Sequence, residues 1–284
     1  MNFFGEIALP VVLFVIMIGI GLSTRLDDFK SLLKYPKAAT VGVLSQLFLL
    51  PTIALLIGWV MGYNNETILG LLLLSLCPSG TGSNIITKMV RGNLALSVSL
   101  TTISSIKSLF TIPFCLNIFL NHFNSDIPPI KLDYIEMILQ IFLLTILPTI
   151  IGVFISEKKP IIVEKLRTTL KWLLPTLLFS VFTAIMIFDD PKNSDVDITE
   201  MIIPAILINV VSMFIAFLLV KIFKIEKGQV LAISIESGLK NSAIGLMIAT
   251  TFLKIGEVEL LILAYSFISF YLTLVLSVLL KRIS

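Results

Sequence analysis

Residues Gly228–Thr251 read GQVLAISIESGLKNSAIGLMIATT, and they combine two properties that rarely occur together. The stretch is long and apolar enough to cross a bilayer, which requires about 20 residues. Yet Glu236, Lys240 and Asn241 occupy its middle. An ionisable side chain at that depth costs about 3 kcal/mol on the lenient insertion scale, so such residues are rare and usually functional. We interpret the stretch as a helix that is interrupted at a transport site.

The composition of the chain is that of an integral membrane protein. Apolar residues make up 57% of the sequence, charged residues only 14%, and the mean hydropathy is +1.03. Soluble domains contain about 45–50% apolar and about 25% charged residues. The two cysteines, Cys77 and Cys115, lie in apolar runs and are expected to be buried thiols. The single histidine, His122, argues against a histidine-based metal site, and no catalytic motif is present, so no enzyme is predicted.

Hydropathy divides the chain into nine segments of spanning length that are connected by short loops. A spanning helix requires about 17–25 predominantly apolar residues. We therefore predict an all-α integral membrane protein with a single transporter domain over residues 1–284. The predicted helices are 5–23, 38–61, 68–88, 94–120, 133–155, 171–188, 201–223, 229–253 and 258–280.

The distribution of lysine and arginine predicts the orientation of these helices. Sixteen of these residues lie in one set of alternate loops, and only Lys131, Lys192 and Lys254 lie in the opposite set. Because cytoplasmic loops carry the excess of basic residues, we expect the N-terminus outside and the C-terminus in the cytoplasm of a cell-membrane protein. The two remaining basic residues, Lys107 and Lys240, fall within predicted spans.

The predicted helix 68–88 carries a similar interruption. Its run Cys77–Asn84 (CPSGTGSN) contains a proline and two glycines, which disfavour regular helix. Within it, Ser79–Asn84 (SGTGSN) parallels Ser237–Ser242 (SGLKNS) in the other interrupted helix. The two helices are an odd number of segments apart, so they run in opposite directions, as in the inverted repeats of secondary transporters. Close packing of small residues is the alternative, but it does not explain Glu236.

The polar side chains in and near the two interruptions supply oxygen atoms of the kind that sodium prefers. Glu236 provides the negative charge. Neutral oxygens are available from residues in three predicted helices, namely Ser83, Asn84, Ser97, Thr101 and Gln46. Because Ser97 and Thr101 are four residues apart, they share one face of their helix.

Motifs occur in order along nearly the whole chain, among them residues 35–37 (YPK), Gln46 with Pro51, Cys77–Asn84, residues 91–98 (RGNLALSV) with Thr101-Thr102, and residues 236–241 (ESGLKN). Together they resemble the bile acid:sodium symporter family, and the chain is similar to a nine-helix form that lacks the first helix of many bacterial members. The resemblance implies inverted repeats, a panel domain and a core domain, with the two broken helices crossing in the core.

The resemblance also implies two sodium sites and an adjacent substrate site. One sodium would be held by Ser83, Asn84, Ser97, Thr101 and Glu236. A second would be held by Gln46, Glu236, Ser237, Leu239 and the residue at 240. An organic anion would bind beside the crossing, near Thr81, Gly82, Asn241 and Ser242. Helix N-termini at that point would favour a carboxylate through the helix dipole.

Lys240 departs from the family pattern Glu-x-Gly-x-Gln-Asn, since it stands where the pattern has glutamine. An ammonium group only donates hydrogen bonds and cannot ligate sodium. At about 4 Å and an effective dielectric near 20, it would attract Glu236 by about 4 kcal/mol, enough to displace a weakly held cation. We hypothesise that Lys240 replaces one sodium, which would alter the stoichiometry, couple transport to protons or abolish sodium coupling. The alternatives are a lysine that snorkels into water and a purely structural Glu236–Lys240 ion pair.

The leading functional hypothesis is a secondary active transporter that moves a small organic anion by alternating access, coupled to sodium or with Lys240 in its place. Lys107, a second departure from the family pattern, would be an accessory charge that either attracts the anion or pairs with the core. The anion and the lipid bilayer are the expected partners, with no nucleic acid and no obligate protein partner. The alternatives are an auxin-efflux-type anion carrier and a membrane sensor or scaffold that keeps the fold without transport.

Overall fold

The computed structural model describes residues 4–24, 34–80, 82–123, 132–188 and 196–283. Of the residues discussed above, Thr81, Lys131 and Lys192 lie outside these ranges. Within them the chain is helical, and a single bridge of the β type joins Ser79 to Lys240.

Eleven helices, named in chain order, account for the described residues outside turns and connections. They are α1 (Leu9–Ser23), α2 (Pro36–Met61), α3 (Asn65–Leu76), α4 (Gly82–Met89), α5 (Leu94–His122), α6 (Tyr134–Lys158), α7 (Pro160–Phe188), α8 (Ile202–Ile222), α9 (Lys227–Gly238), α10 (Ser242–Leu253) and α11 (Gly256–Ile283).

Among the described residues, α2, α5, α6, α8 and α11 are long and apolar enough to cross a membrane. Shorter apolar helices are found in α1, α3, α10 and the second half of α7. These helices are those of an integral membrane protein. α7 begins at Pro160, well before the predicted start at 171. The difference arises because hydropathy detects only the apolar part of a helix, whereas proline is well suited to the first helical position of its polar beginning.

The two predicted interruptions are breaks in the structure. The break between α3 and α4 contains Pro78, which has no backbone donor with which to continue a helix. The break between α9 and α10 ends at Asn241, whose side chain accepts hydrogen bonds from the backbone N–H groups of Ala243 and Ile244. This side chain caps α10 and so determines where the second half of the broken helix begins.

Two apolar clusters lie on either side of the breaks, and the half-helices divide between them. α3 and α10 contribute to the larger cluster, which also contains Leu13 and Tyr265. α4 and α9 contribute to the smaller cluster, together with Leu100 and Phe217. The polar residues of the breaks therefore lie between two apolar regions, where their hydrogen-bonding groups need partners from the protein or from a ligand.

Three described helices share a π-helical turn placed directly before a Leu-Pro pair. The turns are Phe4–Ala8, Ser45–Leu49 and Phe142–Ile146, and the pairs are Leu9-Pro10, Leu50-Pro51 and Leu147-Pro148. In a π-helical turn the N–H of residue i+5 bonds to the carbonyl of residue i, but proline has no N–H. Pro51 therefore leaves the Gln46 carbonyl without its helical donor in the middle of α2. At the start of α1, the equivalent Gly5 carbonyl accepts a hydrogen bond from Thr250 at 3.5 Å.

α1 packs chiefly on α6 and α7, and its contact with α6 is made backbone to backbone. A methyl group added at Gly21 would lie 2.2 Å from the Thr149 carbonyl oxygen, and one added at Gly152 would lie 2.2 Å from that of Ile18. Only glycine fits at both positions, as is common where membrane helices approach closely.

Candidate functional site

The two breaks face each other and are joined by backbone hydrogen bonds. The Gly80 N–H donates to the Leu239 carbonyl at 3.0 Å, and the Asn241 N–H donates to the Pro78 carbonyl at 2.8 Å. These bonds satisfy backbone groups that would be costly to leave unpaired in an apolar environment. The breaks thereby become one structural unit between the two apolar clusters.

Side chains from other helices satisfy further carbonyl groups at the end of α9. The Ser79 hydroxyl donates to the Glu236 carbonyl at 2.9 Å. The Gly238 carbonyl accepts hydrogen bonds from the Tyr265 hydroxyl at 2.5 Å and from Asn209 Nδ2 at 2.8 Å. α8 and α11 therefore hold the broken end of α9 in place.

The Glu236 carboxylate is 0% exposed and accepts hydrogen bonds from three hydroxyl groups of other helices. Ser83 on α4 and Ser97 on α5 donate to Oε1 at 2.5 Å and 2.6 Å, respectively. Thr101, one turn after Ser97, donates to Oε2 at 2.9 Å. Hydrogen bonds to an ionised carboxylate are about twice as strong as neutral ones. We call these four residues the Glu236 cluster.

Asn84 follows Ser83 on α4 and contributes an additional oxygen atom. Its Oδ1 is buried and has no hydrogen-bond partner within the described part of the chain. A buried acceptor that lacks a donor costs about 1–3 kcal/mol, so a cation at this atom would be stabilising. Carboxylate, hydroxyl and amide oxygens are the ligands that hard cations prefer, and this chemistry fits sodium.

Gln46 and Lys107 meet at the π-helical turn of α2. The Gln46 side chain is 1% exposed, and its Nε2 has no hydrogen-bond partner among the described residues. The Gln46 carbonyl, which Pro51 deprives of its helical donor, accepts a hydrogen bond from Lys107 Nζ at 2.9 Å. Lys107 therefore ties α5 to the middle of α2, a structural contact that hydropathy alone does not reveal.

Lys240 lies in the break after α9, and its side chain is only 5% exposed. Its Nζ is buried and makes no hydrogen bond to any residue that the structure describes. The buried Nζ does not match a lysine that snorkels into water, and no hydrogen bond joins it to Glu236 among the described residues. The charges of Lys107 and Glu236 are nevertheless near enough to act on Lys240, and so is the Cys77 thiol. We call Gln46, Lys107 and Lys240 the Lys240 region.

The other two residues of the implied second sodium site have their oxygen atoms engaged in protein hydrogen bonds. The Ser237 hydroxyl donates to the Ile233 carbonyl of its own helix at 2.8 Å. The Leu239 carbonyl accepts the hydrogen bond from Gly80. Each of these oxygens keeps a lone pair, so the ammonium group of Lys240, and not a lack of acceptors, distinguishes this place from the Glu236 cluster.

The described residues of the implied substrate site lie at the beginnings of the second half-helices. Gly82 begins α4, where a methyl group would lie 2.9 Å from the Leu239 side chain. Ser242 begins α10 and is capped by Asn241. Two helix N-termini thus follow directly after the bridged residues of the breaks. The remaining candidate, Thr81, lies outside the described residues.

Sequence reasoning did not single out Asn209 or Tyr265, although both bond to the end of α9. Asn209 and Tyr265 are polar residues within the predicted spans 201–223 and 258–280. That placement was an available signal, because buried polar groups in a membrane helix need hydrogen-bond partners.

Comparison with known proteins identifies the family. Residues 10–194 match the model of the Sodium Bile acid symporter family. The chain belongs to this family. The match contains the break between α3 and α4 and ends before α9, so the second break is assigned here from its own sequence and contacts.

Three relatives illustrate the range of similarity. The chain is 28% identical over 234 residues to a probable chloroplastic sodium/metabolite cotransporter of Oryza sativa subsp. japonica, covering 82% of this chain and 54% of the relative. It is 28% identical over 244 residues to an uncharacterized sodium-dependent transporter of Bacillus subtilis, covering 85% and 73%. It is 29% identical over 163 residues to the ileal sodium/bile acid cotransporter of Mus musculus, covering 57% and 45%. The chain therefore spans about half the length of the plant and mammalian relatives.

These comparisons confirm the resemblance on which the sequence analysis relied. The matched family is one of symporters, so the prediction of a membrane transporter rather than an enzyme agrees with it. The family match also favours the bile acid:sodium symporter resemblance over the auxin-efflux alternative.

Proposed function

We propose that this protein is a secondary active transporter that carries a small organic anion across a membrane by alternating access, coupled to sodium at the Glu236 cluster. The observation that carries the proposal is a fully buried carboxylate that accepts three hydroxyl groups from two other helices. The plant and mouse relatives are named as sodium cotransporters, which supports sodium as the coupling ion.

Sodium would be held by Ser83, Asn84, Ser97, Thr101 and Glu236. On sodium binding, the three hydroxyl groups would turn their lone pairs to the ion, and the buried Asn84 Oδ1 would gain a partner. The oxygens come from α4, α5 and α9, so one ion would hold half-helices from both breaks together. This link is how we expect sodium binding to favour the conformation that binds substrate.

Lys240 would stand in for the second sodium that the family resemblance implies, leaving one sodium per transport cycle. The buried ammonium group of Lys240 supports this part of the proposal, because a positive charge beside the Ser237 and Leu239 oxygens disfavours a second cation there. A fixed ammonium at that position would supply a positive charge without an ion from solution.

The proposed substrate position is next to the bridged breaks, near Gly82, Asn241 and Ser242, and near Thr81. A carboxylate there would face the N-termini of α4 and α10, whose dipoles favour an anion.

For the membrane arrangement we propose nine crossings, with the N-terminus outside and the C-terminus in the cytoplasm. α1, α6 and α7 would form the panel domain, and the remaining helices would form the core. The packing of α1 chiefly on α6 and α7 supports this division. Alternating access would then be a movement of the panel against the core.

Uptake into proteoliposomes tests the proposal, with an anion chosen by a thermal-shift screen in sodium and in potassium. Wild type and Lys240→Gln are compared as sodium is varied. We expect a Hill coefficient of about 1 for wild type and a steeper dependence, up to about 2, for Lys240→Gln, which restores the family's glutamine.

Each contrary outcome has a distinct meaning. Equal steepness in the two proteins would refute the replacement of sodium by Lys240. Uptake that follows a proton gradient and ignores sodium would refute the sodium site. Absence of flux for every anion that stabilises the protein would favour the sensor or scaffold alternative.

A further inference from the structure

The Lys240 region combines donors that lack acceptors with an excess of positive charge. Lys240 Nζ and Gln46 Nε2 are both buried and without hydrogen-bond partners among the residues that the structure describes. Lys107 donates to the Gln46 carbonyl, and its ammonium group is near enough to interact with that of Lys240. An ammonium group without partners carries a penalty of several kcal/mol in such an environment.

The neighbouring Glu236 carboxylate offsets only part of this charge, and the acceptors near Lys240 make their hydrogen bonds to other groups. The Glu236 carboxylate accepts hydrogen bonds from three hydroxyl groups, and the carbonyl groups of Glu236, Gly238 and Leu239 accept from Ser79, Tyr265 and Gly80. With one carboxylate and two ammonium groups, the centre of the molecule carries one more positive than negative charge when all three groups are ionised. The group that would complete this region is an acceptor with negative charge.

A shallow apolar cavity, open to the outside of the molecule, lies on the neighbouring turns of α2 and α5. It measures about 360 Å³ and is lined by Pro36, Ala39, Thr40, Val43, Leu44 and Ile103. Val43 precedes Gln46 by three residues on α2, and Ile103 precedes Lys107 by four residues on α5, so the cavity is one helical turn away from the two donors. It offers an apolar surface near the donors for the apolar part of an organic anion.

We propose that the Lys240 region is an anion-binding site, in which Lys240, Lys107 and Gln46 hold a monovalent anion where the family resemblance places a sodium ion. The anion is either the carboxylate of the transported molecule or a free halide, since both offer negative charge to the same donors. The inference rests on the proposed function for its place in transport. It adds that Lys240 binds the anion directly instead of only substituting for a cation.

Thermal unfolding of the purified protein in detergent tests this site. At constant sodium, the bulky buffer anion HEPES is replaced by chloride, acetate or hexanoate. We expect the unfolding midpoint of wild type to rise by about 2–4 °C with at least one of these anions. Lys240→Gln and Lys240→Met should both lose most of the rise, and Lys107→Gln should lose part of it.

Lys88→Gln is the matched control, because Lys88 is an exposed lysine at the end of α4. It should keep the full anion response. A response to chloride alone identifies the halide as the ligand. A response that grows from acetate to hexanoate identifies the organic carboxylate and its use of the apolar cavity. The same anion response in wild type and in both Lys240 variants would overturn the proposal.

A second series separates this inference from the proposed function. Sodium is replaced by choline at constant chloride, and the midpoint should fall in wild type and in both Lys240 variants, because the Glu236 cluster is unchanged. A lost sodium response with a preserved, Lys240-dependent anion response would refute the sodium site and leave the anion site standing. A preserved sodium response without a Lys240-dependent anion response would refute only the anion site.

Discussion

Glu236 and Lys240 lie four residues apart and carry opposite charges, yet their surroundings in the structure differ. The carboxylate receives three hydroxyl donors, whereas the ammonium group has no acceptor in the described part of the chain. The helix is broken between the two residues, so their side chains lie among different groups. A buried charge surrounded by prearranged partners can exchange them for an ion, while a buried charge without partners requires a ligand.

The largest expected effect is that of Glu236→Gln. Neutralising the carboxylate removes the charge that holds sodium, so sodium-dependent uptake should fall to the background of empty liposomes and the thermal response to sodium should disappear. The anion response of the Lys240 region should remain, because none of its donors is altered. Glu200→Gln, at an exposed carboxylate outside the helices, is the control. Sodium-driven uptake by the Glu236→Gln variant would contradict the assignment of the cation site.

An intermediate effect should distinguish Ser97 from Asn84. Loss of either oxygen should weaken apparent sodium affinity about tenfold, which corresponds to about 1.4 kcal/mol. Ser97→Ala should also destabilise the sodium-free protein by about 1–3 kcal/mol, because it removes a donor from a buried carboxylate. Asn84→Ala should not, since Oδ1 has no hydrogen-bond partner to lose within the described residues. Sodium titrations and unfolding midpoints in choline measure the two quantities, and equal destabilisation by both variants would contradict this distinction.

The smallest expected effect concerns the contact between Lys107 and α2. Lys107→Met should lower the free energy of unfolding by about 1–3 kcal/mol, since it leaves the buried Gln46 carbonyl without a donor. Pro51→Ala restores a backbone N–H five residues after Gln46. The double variant should therefore lose less stability than the sum of the single variants, which a double-mutant cycle measures. Strictly additive losses of stability would show that Pro51 is not the reason why the Gln46 carbonyl requires Lys107. Lys107→Arg should retain the stability of the wild type.

The positions of both breaks were predictable from local chemistry. A proline, several glycines and a cluster of polar residues within an apolar run disfavour helix wherever the chain folds. The members of the Glu236 cluster were also named from the sequence, because their residue types and the family motif point to a cation site. In the structure Ser83, Ser97 and Thr101 contact the carboxylate, whereas Asn84 is beside them without a described hydrogen bond to it.

Contacts between distant segments were not predictable in the same way. Tyr265 and Asn209 donate hydrogen bonds to the Gly238 carbonyl from other helices. Lys107 donates to the Gln46 carbonyl, which lacks a helical donor because Pro51 is five residues after it. The burial of Glu257, which accepts hydrogen bonds from Asn64 and Thr67 at the start of α3, was likewise missed. Hydropathy is a property of each segment by itself, so it does not predict which segments contact each other.

The sequence by itself determined that Gly228–Thr251 is apolar, interrupted and costly to place in a bilayer, because composition and helix propensity are local properties. Only the tertiary structure determined which groups surround Glu236 and Lys240. Folding brings the hydroxyl groups of α4 and α5 to Glu236 and places Lys240 in the break, near enough to Lys107, Glu236 and Cys77 to interact with them. Hydrogen bonds act over about 3 Å, so their partners are set by packing and not by distance along the chain.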